Sequence, residues 1–336
     1  MTRHLAPPLV LLLLVAILAP ACAPLSVTFT LGAQEQPLRE TAVLEDAHGP
    51  ADAKVALIDV RGTIIDAARP GLFGSGANPV DELVARLKMA EDDPEVRAVV
   101  IRINSPGGSV TASDIVYTEV RRFADTTKKP VVASLGEVAA SGGYYLALAA
   151  DEIVAQPTSI TASIGVIIPT VNVSDGLRRI GIVARSIKSG ENKDLANPLE
   201  PIRESQYAVL QGMVDDFYAR FRGLVVERRP TLDTSRLDEL TDGRVVTGAE
   251  AVKAGLADHE GSVRDAFDRA KHLAGITSAR LIRYHTDTAR PRSPYSPTAT
   301  AEAPAANTEV NLIQLDLGEA GLGSATNAYY LWAPLH

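Results

Sequence analysis

Hydrophobic and polar positions follow two different periods through the first half of the chain. Short apolar runs of strand type occupy residues 55–60, 96–103, 130–135 and 152–155. Between them, residues 78–92 and 111–124 carry apolar side chains at the three- and four-residue spacing of an amphipathic helix. Asn78 followed by Pro79 is a typical helix start. This alternation predicts an α/β domain with a buried, mostly parallel sheet, whose binding sites lie at the carboxyl ends of the strands.

The second half of the pattern is less regular. Residues 182–187 predict another strand, and residues 188–194 predict a loop. A long amphipathic helix is predicted over 202–228 and another over 263–273. The aromatic residues of the long helix are expected to be core or subunit contacts, and the chain shows no internal repeat.

The two ends differ from the core in composition. The apolar run 9–18 is shorter than the roughly 20 residues of a membrane span and suits a secretory signal. Cys22 follows it in a context similar to a lipoprotein cleavage site; the alternative is an uncleaved signal anchor with an incidental cysteine. Both predict export and attachment to a bacterial cell membrane through the N-terminal segment, on its extracytoplasmic face. We expect a signal over 1–22, a tether over 23–53, a core over 54–284, a Pro/Ala/Thr-rich linker over 285–309 and an apolar tail over 310–336.

Composition and charge exclude several function classes. The net charge is −8, and no basic stripe is present to neutralise phosphates, so we expect no nucleic-acid partner. Cys22 is the only cysteine, and the six histidines show no ligand spacing. We therefore predict no disulfide, no metal site and no cofactor.

Ser141 is the first candidate for chemistry. It precedes two glycines in Ala-Ala-Ser-Gly-Gly-Tyr-Tyr (139–145), where it could be a nucleophile or only a helix cap. Ala139 breaks the Gly-x-Ser-x-Gly motif of a nucleophile elbow. No histidine lies between His48 and His259, and nothing around His259 suggests an orienting partner. A lysine made neutral by burial is an alternative base for a serine.

Two glycine turns could stabilise negative charge. Pro-Gly-Gly (106–108) follows a predicted buried strand and precedes a predicted helix, and Gly142 occupies the equivalent position after Ser141. Backbone N–H groups at Gly108 and Gly142 would form an oxyanion hole. The alternative is that both turns need glycine for their geometry alone.

Four motifs in order carry a family resemblance. They are Asn-Ser-Pro-Gly-Gly-Ser (104–109), Ala-Ser-Gly-Gly-Tyr-Tyr (140–145), Thr-Ala-Ser-Ile-Gly-Val (161–166) and Lys-Ser-Gly-Glu-Asn-Lys-Asp (188–194). Together with Gly-Arg-Val-Val-Thr-Gly (243–248), they resemble the signal peptide peptidase A (protease IV) family of the Clp protease/crotonase superfamily, over about residues 54–275. The resemblance implies a ClpP/crotonase-like β-α superhelix.

The resemblance also implies roles for individual residues. Ser141 would be the nucleophile and Lys193 its base, with Lys188 as a rival that we expect to face solvent. Ser163 would position the lysine, the alternative being an ordinary turn hydroxyl. Gly108 and Gly142 would bind the oxyanion.

The implied activity is that of a membrane-tethered serine endopeptidase. Its substrates would be apolar peptides with small or hydrophobic side chains, such as released signal peptides. A homo-oligomeric ring is implied, in which neighbouring copies complete each site. The alternatives are a crotonase-like acyl-CoA enzyme and a non-catalytic membrane-anchored scaffold.

The apolar stretch 329–335 follows a flexible linker. We expect it to dock in a peptide-binding groove or to be trimmed there. The alternative is that Leu331 and Trp332 pack on the domain surface.

Overall fold

Strands and helices alternate through the core, as the sequence pattern predicts. The computed structural model describes residues 37–46, 52–68, 70–71, 74–75, 78–286, 290–296 and 328–331. The strands are β1 (Arg39–Glu45), β2 (Lys54–Arg61), β3 (Pro70–Gly71), β4 (Gly74–Ser75), β5 (Val96–Ser105), β6 (Gly107–Ser109), β7 (Val131–Ala140), β8 (Glu152–Ala155), β9 (Ile160–Ala162), β10 (Val245–Thr247), β11 (His259–Glu260), β12 (Arg280–His285) and β13 (Tyr329–Leu331). The helices are α1 (Pro79–Asp92), α2 (Val110–Thr127), α3 (Gly142–Ala147), α4 (Ser174–Arg179), α5 (Glu204–Arg228), α6 (Leu237–Leu240), α7 (Gly248–Lys253) and α8 (Val263–Leu273), with 3₁₀ turns at Glu191–Asp194 and Thr234–Arg236.

The central sheet runs in the order β1-β12-β2-β5-β7-β8-β11, and β9 joins β7 and carries β10. The pairs from β12 through β11 and the β7–β9 pair are parallel, whereas β1–β12 and β9–β10 are antiparallel. This arrangement confirms the predicted α/β class with a mostly parallel sheet.

Both faces of the sheet are buried, which explains why its strands read as continuous apolar runs. Along β2, Ile58 and Val60 pack into a large cluster with α1, α2 and α3. Val55 and Leu57 point to the other face and pack against Phe267 of α8.

The helix starts follow local chemistry. The Asn78 side chain accepts a hydrogen bond from Val80 N at 2.9 Å, and Pro79 is the first helical residue. At α8, Ser262 and Asp265 form a capping box. These signals place the boundaries where the sequence predicts them.

Two parts of the structure differ from the sequence prediction. Residues 182–187 are not a strand, and Val183 and Ile187 lie on the surface with relative exposures of 80% and 103%. No strand among the described residues pairs with this segment, so its side-chain pattern alone was misleading. Residues 39–45, within the predicted tether, form β1 on β12, where Glu40 binds the buried Lys54 ammonium at 2.8 Å.

Several expectations concern residues that the structure does not describe. Cys22, the signal segment and the C-terminal tail apart from residues 328–331 all lie outside the described ranges. Within those ranges, no helix combines the length and apolar character that crossing a bilayer requires.

Candidate active site

Ser141 lies between the end of β7 and the start of α3, in a strained backbone conformation. Its φ and ψ are 52° and −115°. The backbone is fixed on both sides, since Ser141 N donates to Ala162 O at 2.7 Å and Ser141 O accepts from Tyr145 N at 2.8 Å. The side chain does not cap α3, and no hydrogen bond among the described residues engages its hydroxyl. Ser141 is thus a buried serine, at 1% exposure, whose hydroxyl is free of partners within the described part of the chain.

This sharp strand-to-helix turn has the backbone form of a nucleophile elbow, although the sequence lacks the motif. A Cβ at Gly143 would lie 2.7 Å from Ser105 O, so glycine is required two residues after the serine. At Ala139, two residues before it, the chain is still regular sheet and pairs with Ser105 and Thr161. A methyl group is accommodated at that position, which explains the missing glycine.

The structure brings Gly108 and Gly142 together. A Cβ built on Gly142 would lie 3.1 Å from Gly108 N, and one built on Gly107 would lie 2.8 Å from Gly142 N. Gly107 has a φ of +110°, which favours glycine. Two backbone N–H groups therefore converge beside Ser141, as an oxyanion hole requires.

Ser163 lies on the neighbouring strand end. Ala140 pairs with Ala162 in the β7–β9 ladder, so Ser141 and Ser163 each follow a paired residue. Ser163 has a φ of 52° and donates its backbone N–H to Arg244 O at 2.8 Å. It is buried and close enough in the fold to serve the same site as Ser141.

The two candidate lysines lie in residues 163–203, the long segment between β9 and α5 that we call the excursion. Lys193 is exposed in the 3₁₀ turn, and no hydrogen bond among the described residues joins it to Ser141 or Ser163. No bond among the described residues therefore joins the predicted nucleophile Ser141 to the predicted base Lys193.

We expected Lys188 to face solvent, but the structure places it in an ion pair. Its ammonium binds Asp194 at 2.6 Å, and Arg203 binds the same carboxylate at 2.9 Å. The Lys188 hydrogen bond, with help from Gln206 and Arg203, lowers the pKa of Asp194 to about 2. Lys188 is therefore engaged in an ion pair with Asp194.

An aromatic pocket that the sequence did not identify lies beside the glycine turns. Tyr145 packs against Phe221 of α5 with ring centroids 5.0 Å apart, and Tyr117 meets Tyr145 edge-on at 5.5 Å. The Tyr145 hydroxyl donates to Asp114 Oδ1 at 2.7 Å, and Arg220 binds that carboxylate at 2.6 Å. Burial and the bond to Asp114 raise the pKa of Tyr145, so its hydroxyl stays protonated. The tyrosine after Ser-Gly-Gly was the only sequence signal for this pocket.

A separate cavity of about 490 Å³ is lined by residues of α2 and α5. Its walls include Ser109, Thr111, Met213 and Phe217. The mixed lining and the size suit the side chains of an extended peptide.

Comparison with known proteins identifies the family of the chain. The family model of peptidase family S49 matches residues 124–277. A protein of Enterococcus faecium, provisionally named signal peptide peptidase SppA, is 34% identical over 72% of this chain and 70% of its own length. A provisionally named protease of Synechocystis is 34% identical over 66% of this chain and 75% of its own.

Two further similarities are weaker in coverage or in fit. Protease 4 of Haemophilus influenzae is 35% identical over 67% of this chain, but the match spans 36% of that longer protein. A mutant of a membrane-bound stomatin-specific protease, known from its solved structure, covers 66% of this chain and 86% of its own at 17% identity and a TM-score of 0.40, too low to add an argument. The sequence relatives show that the chain belongs to peptidase family S49 and is a serine peptidase.

Proposed function

We propose that this serine peptidase is a membrane-tethered endopeptidase that cleaves apolar peptides with Ser141 as nucleophile and Lys193 as base. One observation carries the proposal: the free hydroxyl of a buried, strained serine lies beside the converging N–H groups of Gly108 and Gly142. Strain of this kind costs about 1–3 kcal/mol per residue and is typical of functional sites.

The proposed reaction is an acyl transfer. The neutral Lys193 amine removes the proton of Ser141 as Oγ attacks a peptide carbonyl, and the two glycine N–H groups bind the oxyanion. The protonated lysine then gives its proton to the leaving amine. Water, activated by the same amine, attacks the ester and releases the new carboxylate and Ser141.

The exposure of Lys193 supports a base that comes from a neighbouring copy. A lysine must be desolvated to be neutral near pH 7, and Lys193 is not desolvated within its own chain. The excursion that carries it also exposes a set of large apolar side chains. Those between β9 and α5 with at least half of their surface exposed are Ile167, Val171, Ile180, Ile182, Val183, Ile187 and Ile202. A surface of this kind favours association, so we propose a homo-oligomeric ring in which Lys193 of one copy reaches Ser141 of the next, positioned by Ser163.

The substrate class rests on the lining of the site and on the N-terminal segment. The aromatic pocket of Tyr145, Phe221 and Tyr117 favours an apolar side chain. An N-terminal tether, by lipidation of Cys22 or by a signal anchor, would hold the enzyme on the extracytoplasmic face near fragments released from the membrane, such as signal peptides.

Two alternatives use the same fold without a serine nucleophile. A crotonase-like acyl-CoA enzyme would use the Gly108 and Gly142 N–H groups alone, and a scaffold would use neither. Neither the acyl-CoA enzyme nor the scaffold requires a strained backbone at Ser141. The export that we propose also does not suit acyl-CoA chemistry.

The test combines labelling with peptide cleavage. We expect a serine-reactive phosphonate to modify wild type at Ser141, and Ser141→Ala and Lys193→Ala each to lose cleavage of an apolar peptide. Lys188→Ala is the matched control and should retain most activity. Unchanged cleavage by Ser141→Ala would refute the proposal.

Co-expression separates a base in the same chain from a base in a neighbour. When Ser141→Ala and Lys193→Ala chains assemble together, the intact Ser141 of one meets the intact Lys193 of the other. We expect this mixture to recover part of the wild-type activity. No recovery from mixed oligomers would place the base within the same chain.

A further inference from the structure

Strand β7 contains a bulge near its carboxyl end. Its parallel register with β5 is even as far as the pair Ile103–Leu135, but the next pair is Ser105–Ala139. Between these pairs β5 advances by two residues and β7 by four, so Asn104 alone faces three residues of β7. Two residues of β7 are therefore extra, and bulges that lie next to active sites re-aim a side chain.

The bulge decides where Ser141 lies. After the bulge, Ala139 pairs with Ser105, and Ser141 follows two residues later. In the register of the first half of β7, Ser105 would instead lie opposite Glu137, and Ser141 would lie about 7 Å further along the strand direction. Because the shift is an even number of residues, the side chains keep their faces of the sheet. The bulge therefore draws Ser141 back toward the glycine turns.

Side chains satisfy backbone groups that the bulge takes out of the ladder. The bulge also marks the point at which β7 changes its other neighbour from β8 to β9. Val138 N donates to Asn104 Oδ1 at 3.0 Å, and Ser159 Oγ donates to Gly136 O. A Cβ built on Gly136 would lie 3.3 Å from Asn104 Cβ, so β7 runs close to this side chain. Two hydroxyl and amide groups thus replace bonds that a regular sheet would make.

Asn104 holds the bulge from a fixed position. It pairs with Arg61 of β2, and its backbone oxygen accepts a hydrogen bond from Gly62 N at 3.0 Å. The next residue, Ser105, is fully buried, and its Oγ accepts from Gly107 N at 3.1 Å. The end of β5 therefore ties down both the turn that carries the oxyanion donors and the bulge that precedes the serine.

We infer that Asn104 is a positioning residue: its amide oxygen fixes the β7 bulge and thereby sets Ser141 at the correct distance from the oxyanion donors. The inference rests on the proposed function, because it takes Ser141 as the nucleophile. It goes beyond that function in assigning Asn104 an effect on the rate of the chemical step, exerted through the backbone of β7.

Three substitutions at Asn104 test this role in the full chain. Asn104→Leu is similar in size but lacks the acceptor, and it should lower kcat for an apolar peptide about 30- to 100-fold, since a displacement of about 1 Å can cost about 100-fold. Asn104→Asp keeps an acceptor oxygen at the same place and should stay within about fivefold of wild type. Asn104→Gln moves the oxygen outward by one methylene and should lower kcat about tenfold. KM should change less than about threefold in all of them, because the nucleophile and not peptide binding is affected.

Asp151→Leu is the matched control, because it removes a similar bond from the opposite end of the same strand. There, Val131 N donates to Asp151 Oδ2 at 2.9 Å. Asn104→Leu and Asp151→Leu should lower the urea midpoint by similar amounts, since each leaves one strand N–H without its acceptor. Asp151→Leu should nevertheless keep kcat within about threefold of wild type. An equal fall of kcat in both variants would mean that activity follows stability, and would overturn the positioning role.

Labelling with the serine-reactive phosphonate separates failure of the inference from failure of the proposed function. We expect the labelling rate at Ser141 to fall with kcat in Asn104→Leu and Asn104→Gln, and to be restored in Asn104→Asp. If wild type shows Ser141-dependent cleavage but Asn104→Gln keeps the wild-type kcat and labelling rate, the inference is wrong and the proposed function stands. This comparison holds even where Asn104→Leu does not fold. If Ser141→Ala cleaves the peptide as fast as wild type, the proposed function itself fails.

Discussion

Gly142 is the residue at which packing and catalysis can be separated most sharply. A Cβ there would lie 2.4 Å from Ser113 Oγ and 3.1 Å from Gly108 N. Ser113 is fully buried in α2, and its hydroxyl donates to Ser109 O at 2.9 Å. The substitution Gly142→Ala therefore forces the Ser113 hydroxyl to rotate and places a methyl group beside a proposed oxyanion donor.

The free energy of unfolding should fall by about 1–3 kcal/mol in Gly142→Ala. Losing the Ser113 hydrogen bond costs about 1 kcal/mol, and overpacking adds about 1–3 kcal/mol. Alanine is a better helix former than glycine by about 1 kcal/mol, which offsets part of this loss at the start of α3.

Ser113→Ala supplies the matched control, because it removes the atom that the new methyl group meets. In the double variant the methyl group has room, so the two changes should couple favourably by about 1–2 kcal/mol in a urea-unfolding cycle. Catalysis should not recover with stability. Both variants that carry alanine at 142 should show kcat/KM for an apolar peptide reduced about 100- to 1,000-fold, since a donor beside the oxyanion is crowded in each.

Two results would contradict this reasoning. Additive stability changes would mean that Ser113 and Gly142 do not share the packing described. Recovery of kcat/KM in the double variant would mean that the activity loss came from instability, and that the Gly142 methyl group leaves the oxyanion hole intact.

Three further substitutions test other parts of the structure. Asp258→Asn should lower the melting temperature by about 6–12 °C, because it strands the buried Arg229 that binds Asp258 at 2.8 Å, at a cost of about 3 kcal/mol. Burial acts to raise the pKa of Asp258, but the bonds to Arg229 outweigh burial and lower the pKa. The stabilisation is therefore present above about pH 4 and is lost as the pH falls through the lowered pKa. Calorimetry should show a smaller difference in melting temperature between Asp258→Asn and wild type at pH 3 than at pH 7. Ser141→Gly should be more stable than Ser141→Ala by about 1 kcal/mol in urea unfolding, since glycine relieves the positive φ, and equal stability would argue against strain. Tyr145→Phe should lose about 1 kcal/mol with its bond to Asp114 and should raise KM more than it lowers kcat; an unchanged KM would remove Tyr145 from the substrate pocket.

Much of the fold was predictable because its strands are buried on both faces and its helices carry local start signals. The run 152–155 and the helix 263–273 match β8 and α8 at both ends. The strand predicted over 182–187 was wrong because the side-chain pattern of a segment does not show what covers it. Here the described chain leaves Val183 and Ile187 uncovered.

The candidate site was also predictable only in part. Ser141, Gly108 and Gly142 were predictable because a strained turn and close backbone approaches demand particular residue types at fixed local spacing. The aromatic pocket was not, because Tyr145 and Phe221 meet only through the packing of α5 on α3. The environment of Lys188 was also missed, since its partner Asp194 could equally have pointed to solvent.

The backbone around Ser141 explains why the proposed nucleophile and the proposed base have such different surroundings. Ser141, Ala162 and Ser163 all have positive φ, and they follow or end two paired strands. Each costs about 1–3 kcal/mol, and such strain persists only where neighbouring structure fixes the chain. The bonds from Ser141 N to Ala162 O and from Ser163 N to Arg244 O supply that constraint inside a buried sheet. Among the described residues Lys193 has no comparable support, so our proposal needs a neighbouring copy to hold and desolvate it. A rigid serine on the sheet and an exposed lysine between β9 and α5 fit our proposal that the peptidase becomes active only on assembly.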